Sequence, residues 1–260
     1  MTRRLLLRAV YAVCALLLLA SRLDAAEIHV ISSGGFLATL KEVAPIYEKR
    51  TGNTVIFEFG PSMGDTRDAI PQRLARGERI DAVVMVGSAL DKLVQQGKVA
   101  SEDRVVLARS GVGAAVRAGA PVPDISTVDK LRDALLAAPS IAYSDSASGV
   151  YIQNEMFKKL GIEDQVRGKA RMIPATPVGE IVAKGEAALG FQQISELKPV
   201  PGITIAGPLP PPVQLYTLYS AGVLADSPVK QQARELLQFL ASPEVAPAID
   251  RSGMEPIPRT

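Results

Sequence analysis

The chain has 260 residues, 47% of them hydrophobic and 22% charged, which suits one large globular domain or two smaller ones. A formal net charge of +2, no Trp and 5% aromatic residues argue against bulk nucleic-acid binding and against a stacking surface for bases or sugars. One His and one Cys leave no basis for a nitrogen–sulfur metal site, and the glycine fingerprints of nucleotide folds are absent, so neither a metal nor a cofactor is expected.

The N-terminus reads as a signal peptide over residues 1–26. Arg3, Arg4 and Arg8 precede an apolar run from Ala9 to Ala20, which is short for a membrane span. Cleavage is expected near Ala25 or Ala26. Thr2-Arg3-Arg4-Leu5 also has twin-arginine character, so either export route fits. Removing this segment takes away Cys14 and leaves 25 basic and 26 acidic residues. The exported chain then holds neither a disulfide nor a catalytic thiol.

Strand and helix alternate along the remainder. Ile28 to Ser32 is β-rich, and Phe36 to Tyr47 has helical spacing that ends at Gly52. Thr54 to Phe59 is a second strand. Asp65 to Arg76 reads as a helix in which Pro71 imposes a kink or a late start. Ile80 to Val86 is a continuous apolar run, Ser88-Ala89-Leu90-Asp91 has the form of a capping box, and Gly97 closes that helix.

Val105 to Val116 is a strand with a break expected at Gly111-Val112-Gly113. Ser126-Thr127 caps a helix, Ser140 to Tyr143 is a strand, and Gly149 to Leu160 is a helix. Val178 to Lys184 is a short helix with Pro177 expected at its first position, and Ala187 to Gln192 is a strand. Gly207 to Pro212 is expected as an extended connector. Val213 to Tyr219 is a strand, Ser227 caps a helix over Val229 to Leu240, and Ser242-Pro243 starts a last one.

This rhythm predicts an α/β fold of mixed, mostly parallel sheets with helices on both faces. The number of strands exceeds what one sheet carries comfortably, so two lobes are expected. Lobe I takes residues 27–109 and 213–260, lobe II takes 110–212, and the chain crosses between them twice. Ligands in such folds bind at the carboxyl ends of strands, against helix N-termini.

Gly60-Pro61-Ser62-Met63-Gly64 matches the Gly-x-Ser-x-Gly elbow of serine hydrolases, between a strand and a helix as that motif requires. A triad needs a His after the Ser, and His29 precedes it. Ser227-Pro228-Val229-Lys230 has Ser–Lys spacing, but Ser144-Asp145-Ser146 stands before it, the reverse of the penicillin-binding order. Without a base, a Ser hydroxyl is a weak nucleophile. Serine hydrolysis by Ser62 is kept only as a rival, and no enzymatic activity is expected.

Four loops share one design: Ser32-Ser33-Gly34-Gly35, Gly60-Pro61-Ser62-Met63-Gly64, Ser144 to Tyr151 with Ser148-Gly149 inside it, and Thr176-Pro177-Val178-Gly179. Each places hydroxyls and small residues where a helix begins, so that N–H groups without partners face outward at the positive end of the dipole. Such loops suit a small anion, held without any fixed cation.

A chain with these loops resembles the periplasmic molybdate-binding proteins of ABC importers, and more broadly the type II solute-binding class. The resemblance spans Glu27 to about Gly253. It is carried most specifically by Val30 to Leu40, Leu74 to Val84, Gly149 to Gly161 and Gly185-Glu186-Ala187-Ala188-Leu189-Gly190-Phe191.

It implies a two-lobed periplasmic receptor, a monomer, which delivers a small anion to an ABC permease in the inner membrane. The family holds its oxyanion with two Ser of the first lobe and with backbone N–H groups and a Tyr of the second. Carried over, the first Ser falls at Gly35, with Ser33 and Gly34 beside it, and the second at Ser62-Met63. The backbone donors fall at Ser148 and Val178, and the Tyr falls at Gln193.

The departures at Gly35 and Gln193 favour a small organic carboxylate, with molybdate, tungstate or another tetrahedral oxyanion as the alternative. Gln192 and Gln193 offer amides suited to an organic ligand. Arg67 is a candidate carboxylate partner, and Tyr151 offers either a hydroxyl to the cleft or packing beside Phe157. Asp145 reads as a cap of its own loop, or as a partner for a cationic part of the ligand.

Overall fold

A computed structural model describes residues 25–257. Nearly all of the expected signal segment, Cys14 included, lies outside the described residues. The first half runs β1 (Glu27–Ser32), α1 (Gly34–Thr51), β2 (Thr54–Phe59), α2 (Ile70–Ala75), β3 (Ala82–Val86) and α3 (Gly87–Gln95). β1 lies between β2 and β3, parallel to both. Every residue of β3 is buried, as a strand covered on both faces requires. Gly52 ends α1 in the left-handed region, where its N–H returns to the Glu48 carbonyl.

β4 (Val99–Arg117) joins the two halves. Up to Gly111 it pairs antiparallel with β9 (Tyr216–Leu224), and beyond it with β7 (Leu189–Gln193) and β8 (Ile203–Pro208). Between these partners the second half places α4 (Val128–Ala137), β5 (Ile141–Ser144), α5 (Ala147–Tyr151), α6 (Glu163–Val166), β6 (Ala170–Ile173), α7 (Val178–Ala183) and α8 (Ile194–Leu197). β5 is parallel to β6 and β7. After β9 the chain closes on the first half with α9 (Lys230–Leu240), α10 (Ala246–Ser252) and β10 (Glu255–Pro256).

Burial follows the same division. One apolar core gathers residues 28–108 and 219–254, with Phe36, Leu40, Tyr47 and Leu90 inside. The main core of the second half draws on residues 112–213, with Leu131, Ile141 and Phe191 inside, and a smaller cluster packs α7 onto β5 and β6. The backbone crosses between the cores inside β4 and again after the 3-10 turn Pro211–Val213.

Several local expectations change. β4 is continuous through Gly111-Val112-Gly113. Gly113 is needed for close packing, because a Cβ there would lie 2.6 Å from Ile194 Cγ1. The expected capping box at Ser88 to Asp91 does not form: β3 runs directly into α3, whose N-cap is Val86, and Ser62 Oγ accepts the Val86 N–H instead.

Pro71 delays α2 to Ile70, and Pro177 is the residue before α7 rather than its first. Gly207 and Pro208 end the edge strand β8 instead of forming a connector. The last helix begins at Ala246, not at Ser242. The helix expected over Gly149 to Leu160 is interrupted by a π-helical turn at Ile152–Met156, a form that recurs beside functional sites. β6, β8 and β10 were not expected as strands.

Candidate functional site

The carboxyl ends of β1, β2, β3, β5 and β7 converge on one cavity of about 400 Å³ between the halves. This is where ligands bind in open α/β sheets. From the first half, Ser33, Gly34, Ser62 and Met63 reach it, joined by Thr217 and Tyr219 of β9. From the second come the Ser144 to Ala147 turn, Ala175 to Pro177, the Gln192-Gln193 pair and Glu196 of α8. Phe59, Leu37 and Val200 give it apolar walls. Among the described residues, no Arg, Lys or His side chain lines it.

Hydrogen-bonding groups, donors and acceptors both, face the cavity from both sides. Ser33 is buried and its Oγ has no partner. Ser62 Oγ accepts the Val86 N–H at 2.9 Å, which leaves its own hydrogen to give. Gln193 Nε2 donates to Thr217 Oγ1 at 2.8 Å across the halves, while its Oε1 is buried and unpaired. Gln192 Oε1 accepts the Val178 N–H at 2.9 Å. The hydroxyls of Ser144, Ser146 and Ser148 bond one another at 2.7–3.2 Å. Buried polar atoms without partners are uncommon in folded proteins, and Ser33 and Gln193, which carry two of them, both line this cavity.

Glu196 is the residue that reading the sequence missed. Although the residue is partly exposed, its Oε2 is buried and unpaired. Burial pushes its carboxyl up from 4.5 to about 7; the Gln192 amide beside it pulls the other way, and the Asp145 carboxylate adds to the rise. Tyr219 is fully buried next to it, and burial, followed by the charge of Glu196, raises its phenol well above the ordinary value. A signal was available: Gln192-Gln193-Ile194-Ser195-Glu196 places a carboxyl one helical turn beyond two amides at a strand end.

The structure divides the sequence-read candidates. Ser33, Gly34, Ser62, Met63, Pro177, Gln192 and Gln193 line the cavity. Arg67 does not: it lies on the exposed turn before α2. Tyr151 is turned away, and its hydroxyl donates to the Val213 carbonyl at 2.8 Å inside the second core. Ser148 and Gly149 form the floor behind the Ser144 turn, with a Cβ at Gly149 falling 1.5 Å from the Ser144 carbonyl oxygen.

The Val178 N–H is occupied by Gln192. Gly35 leaves room for Tyr219, because a Cβ there would lie 2.2 Å from its hydroxyl oxygen. Asp145 braces the neighbouring loop rather than its own: Oδ2 accepts the Ala175 N–H at 3.0 Å. Ala175 holds a left-handed φ of 52°, a strained backbone on the cavity wall. His29 is in β1 beside Glu27, so Ser62 has no imidazole partner.

Comparison with known proteins agrees with this architecture. The family model of bacterial extracellular solute-binding proteins matches residues 28–255. A Pseudomonas protein named aconitate isomerase is 53% identical over 248 residues, covering 94% of this chain and 95% of that one. The molybdate-binding protein ModA of Azotobacter vinelandii is 26% identical over 249 residues, covering 91% of this chain and 92% of its own.

Among solved structures, the periplasmic molybdate-binding protein of Azotobacter vinelandii superposes with a TM-score of 0.70 at 20% identity, covering 89% of this chain and 100% of that one. PEB3 of Campylobacter jejuni with L-phospholactate bound gives 0.68 at 15% identity, covering 88% and 99%. These last two likenesses concern the fold, that of type II periplasmic binding proteins. With a two-core α/β chain, a cavity at its strand ends and a family match from β1 to β10, this protein belongs to the bacterial extracellular solute-binding proteins.

Proposed function

We propose that this chain binds a small tricarboxylate in the cavity and interconverts the cis and trans isomers of aconitate. The observation that carries the reading is the 53% identity to a protein named aconitate isomerase, over nearly the full length of both chains. The cavity supports it. A volume of about 400 Å³ suits a branched six-carbon acid better than a single tetrahedral oxyanion. Apolar walls accept the carbon skeleton, and hydroxyls of both halves, such as those of Ser33, Ser62 and Ser146, are placed to donate to the carboxylates. Glu196, neutral below about pH 7, can donate to an anion rather than repel it.

The chemistry needed is modest. Aconitate carries a vinyl carbon, a central carbon and a methylene, each bearing one carboxylate. A proton leaves the methylene, and its electron pair is shared, through the central carbon, between the two terminal carbons and their carboxylates. A proton then adds at the former vinyl carbon. One C–H bond breaks and one forms, and the double bond moves one place. The two ends exchange roles, so the constitution is unchanged. The geometry of the product is set by the conformation held during the transfer. An acid–base side chain in a shielded cavity is sufficient for it.

The second reading is the receptor: a periplasmic monomer that closes on a carboxylate and passes it to an ABC permease of the inner membrane. Family membership favours it. Closure would follow from donors split between the halves.

One experiment separates the readings. Purified protein is mixed with trans-aconitate and, separately, with cis-aconitate, and the vinyl proton is followed by NMR. In parallel, thermal shifts are measured with both isomers, other di- and tricarboxylates, molybdate and tungstate. Conversion from both directions to one ratio is expected, with stabilisation by about 2.7 kcal/mol at a hundred times Kd. Stabilisation without conversion gives the receptor; a shift with molybdate alone overturns the carboxylate.

A further inference from the structure

We propose that Glu196 is the group that carries the proton, and that Gly34 and Gly35 exist to seat it and Tyr219 against the start of α1. The inference rests on the isomerase reading above. Gly34-Gly35 is a costly pair inside the first turn of a helix of 18 residues, where other residues pay less conformational entropy. A Cβ at Gly34 would lie 2.9 Å from Glu196 Oε1, and one at Gly35 would lie 2.2 Å from the Tyr219 ring and hydroxyl. The two glycines thus clear space for two ionisable groups, one from α8 of the second half and one from β9.

The remaining titratable groups of the wall fit the role less well. Asp145 is exposed, and its Oδ2 is engaged by the Ala175 N–H. Glu180 is exposed on α7. Tyr219 holds its proton too firmly to act as a base near neutrality. Lys198, the residue that caps α8 at its C-terminus, is directed toward Gly253 and does not line the cavity. Glu196 combines a buried oxygen without a partner with an affinity for protons near neutrality. A carboxyl so placed is half ionised where it works, and takes up and returns a proton with little cost in either direction.

The placement has a stereochemical consequence. A single carboxyl on one wall removes the proton from the methylene and returns it to the other terminal carbon on the same face. Glu196 is the carboxylate before the transfer, the neutral acid during the carbanion, and the carboxylate afterward. Charge is conserved: the negative charge leaves Glu196, spreads through the ligand, and comes back. The phenol of Tyr219, kept protonated, is a positioning donor beside it.

The test uses the wild type, Glu196→Gln and Glu196→Asp as full exported chains. Binding is measured with propane-1,2,3-tricarboxylate, which has no double bond to shift. Turnover and deuterium uptake from D₂O are measured with trans-aconitate. Glu196→Gln is expected to bind the saturated acid within tenfold of wild type and to lose at least a hundredfold in both turnover and deuterium uptake. Glu196→Asp is expected to keep measurable turnover with a displaced pH profile.

Wild-type conversion with Glu196→Gln within fivefold, or an unmoved profile in Glu196→Asp, overturns the assignment and leaves the isomerase standing. Wild-type protein that converts neither isomer overturns both.

Discussion

A carboxyl that prefers its proton in the folded state makes stability depend on pH in a direction opposite to that of a typical surface carboxylate. Glu196 is held at about 7, against 4.5 for an unperturbed Glu. Its contribution to stability is therefore complete below pH 4.5, where both states are protonated. It is lost as pH rises through 7, because the folded protein must then either hold a buried carboxylate or keep a proton that the unfolded chain has released.

Each pH unit between the two values removes up to about 1.4 kcal/mol, so the loss by pH 8 is about 3 kcal/mol. Glu196→Gln has no such titration. Urea unfolding of both proteins from pH 4.5 to 8.5 isolates the effect, because every other group titrates in both. The difference in unfolding free energy, wild type minus variant, is expected to fall by about 3 kcal/mol over that range. Asp145, Glu180 and Tyr219 share the cavity wall, and only their coupling to Glu196 enters the difference. A difference that stays flat within 1 kcal/mol would refute the burial argument, and with it the poise assigned to the proton carrier. Turnover is expected to rise with pH over the same interval in which stability falls.

Other consequences follow from single contacts. Gly149→Ala drives a Cβ against the Ser144 carbonyl and should cost about 3 kcal/mol or more in urea unfolding. Tyr151→Phe removes a buried hydroxyl and leaves the Val213 carbonyl unpaired; stability should drop by about 1–2 kcal/mol while affinity for propane-1,2,3-tricarboxylate, by calorimetry, changes less than twofold. Arg67→Ala should leave that affinity unchanged within twofold, because the side chain lies outside the cavity wall; a loss of tenfold would place the guanidinium on the ligand.

Local pattern made much of the scaffold legible. β1 to β3 and α1 announce themselves through apolar runs and helical spacing, and both are consequences of the core they share. Ser33 and Ser62 stand out locally, because hydroxyls and small residues at a strand end before a helix are a local signature, and Gln193 stands out through the family resemblance; all three line the cavity. What escaped was non-local or polar on the outside. β6 offers mostly exposed Ala-Arg-Met before Ile173, and β8 ends in Gly-Pro, so neither shows the apolar run or alternation that announces a strand. Tyr151 has a helical spacing that fits either of two roles, and only its partner Val213, far along the chain, decides between them. Glu196 sits in a helix of four residues, where a lone acid reads as a solvated charge. Its burial depends on α1, which the chain makes much earlier. The Gly34-Gly35 pair stands out in the sequence, but the Glu196 and Tyr219 side chains packed against it lie in no local window.

A receptor for a polyanion gains from Glu196 only while it is protonated, since its ionised form opposes binding. An enzyme gains from the ionised form, provided the opposition disappears where the barrier lies. Before the transfer, ionised Glu196 repels the carboxylates of the ligand. In the transition state of the proposed isomerisation its charge would move onto the carbon framework and outward to the terminal carboxylates, within reach of Ser33, Ser62 and the first N–H groups of α1. The repulsion is thereby a ground-state term and the donor contacts strengthen as the proton moves, which is the differential binding that lowers a barrier. The split of donors between the halves adds a condition. Glu196 comes from the second half and lies against Gly34 of the first, so the juxtaposition of carboxyl and helix start depends on how the two halves pack.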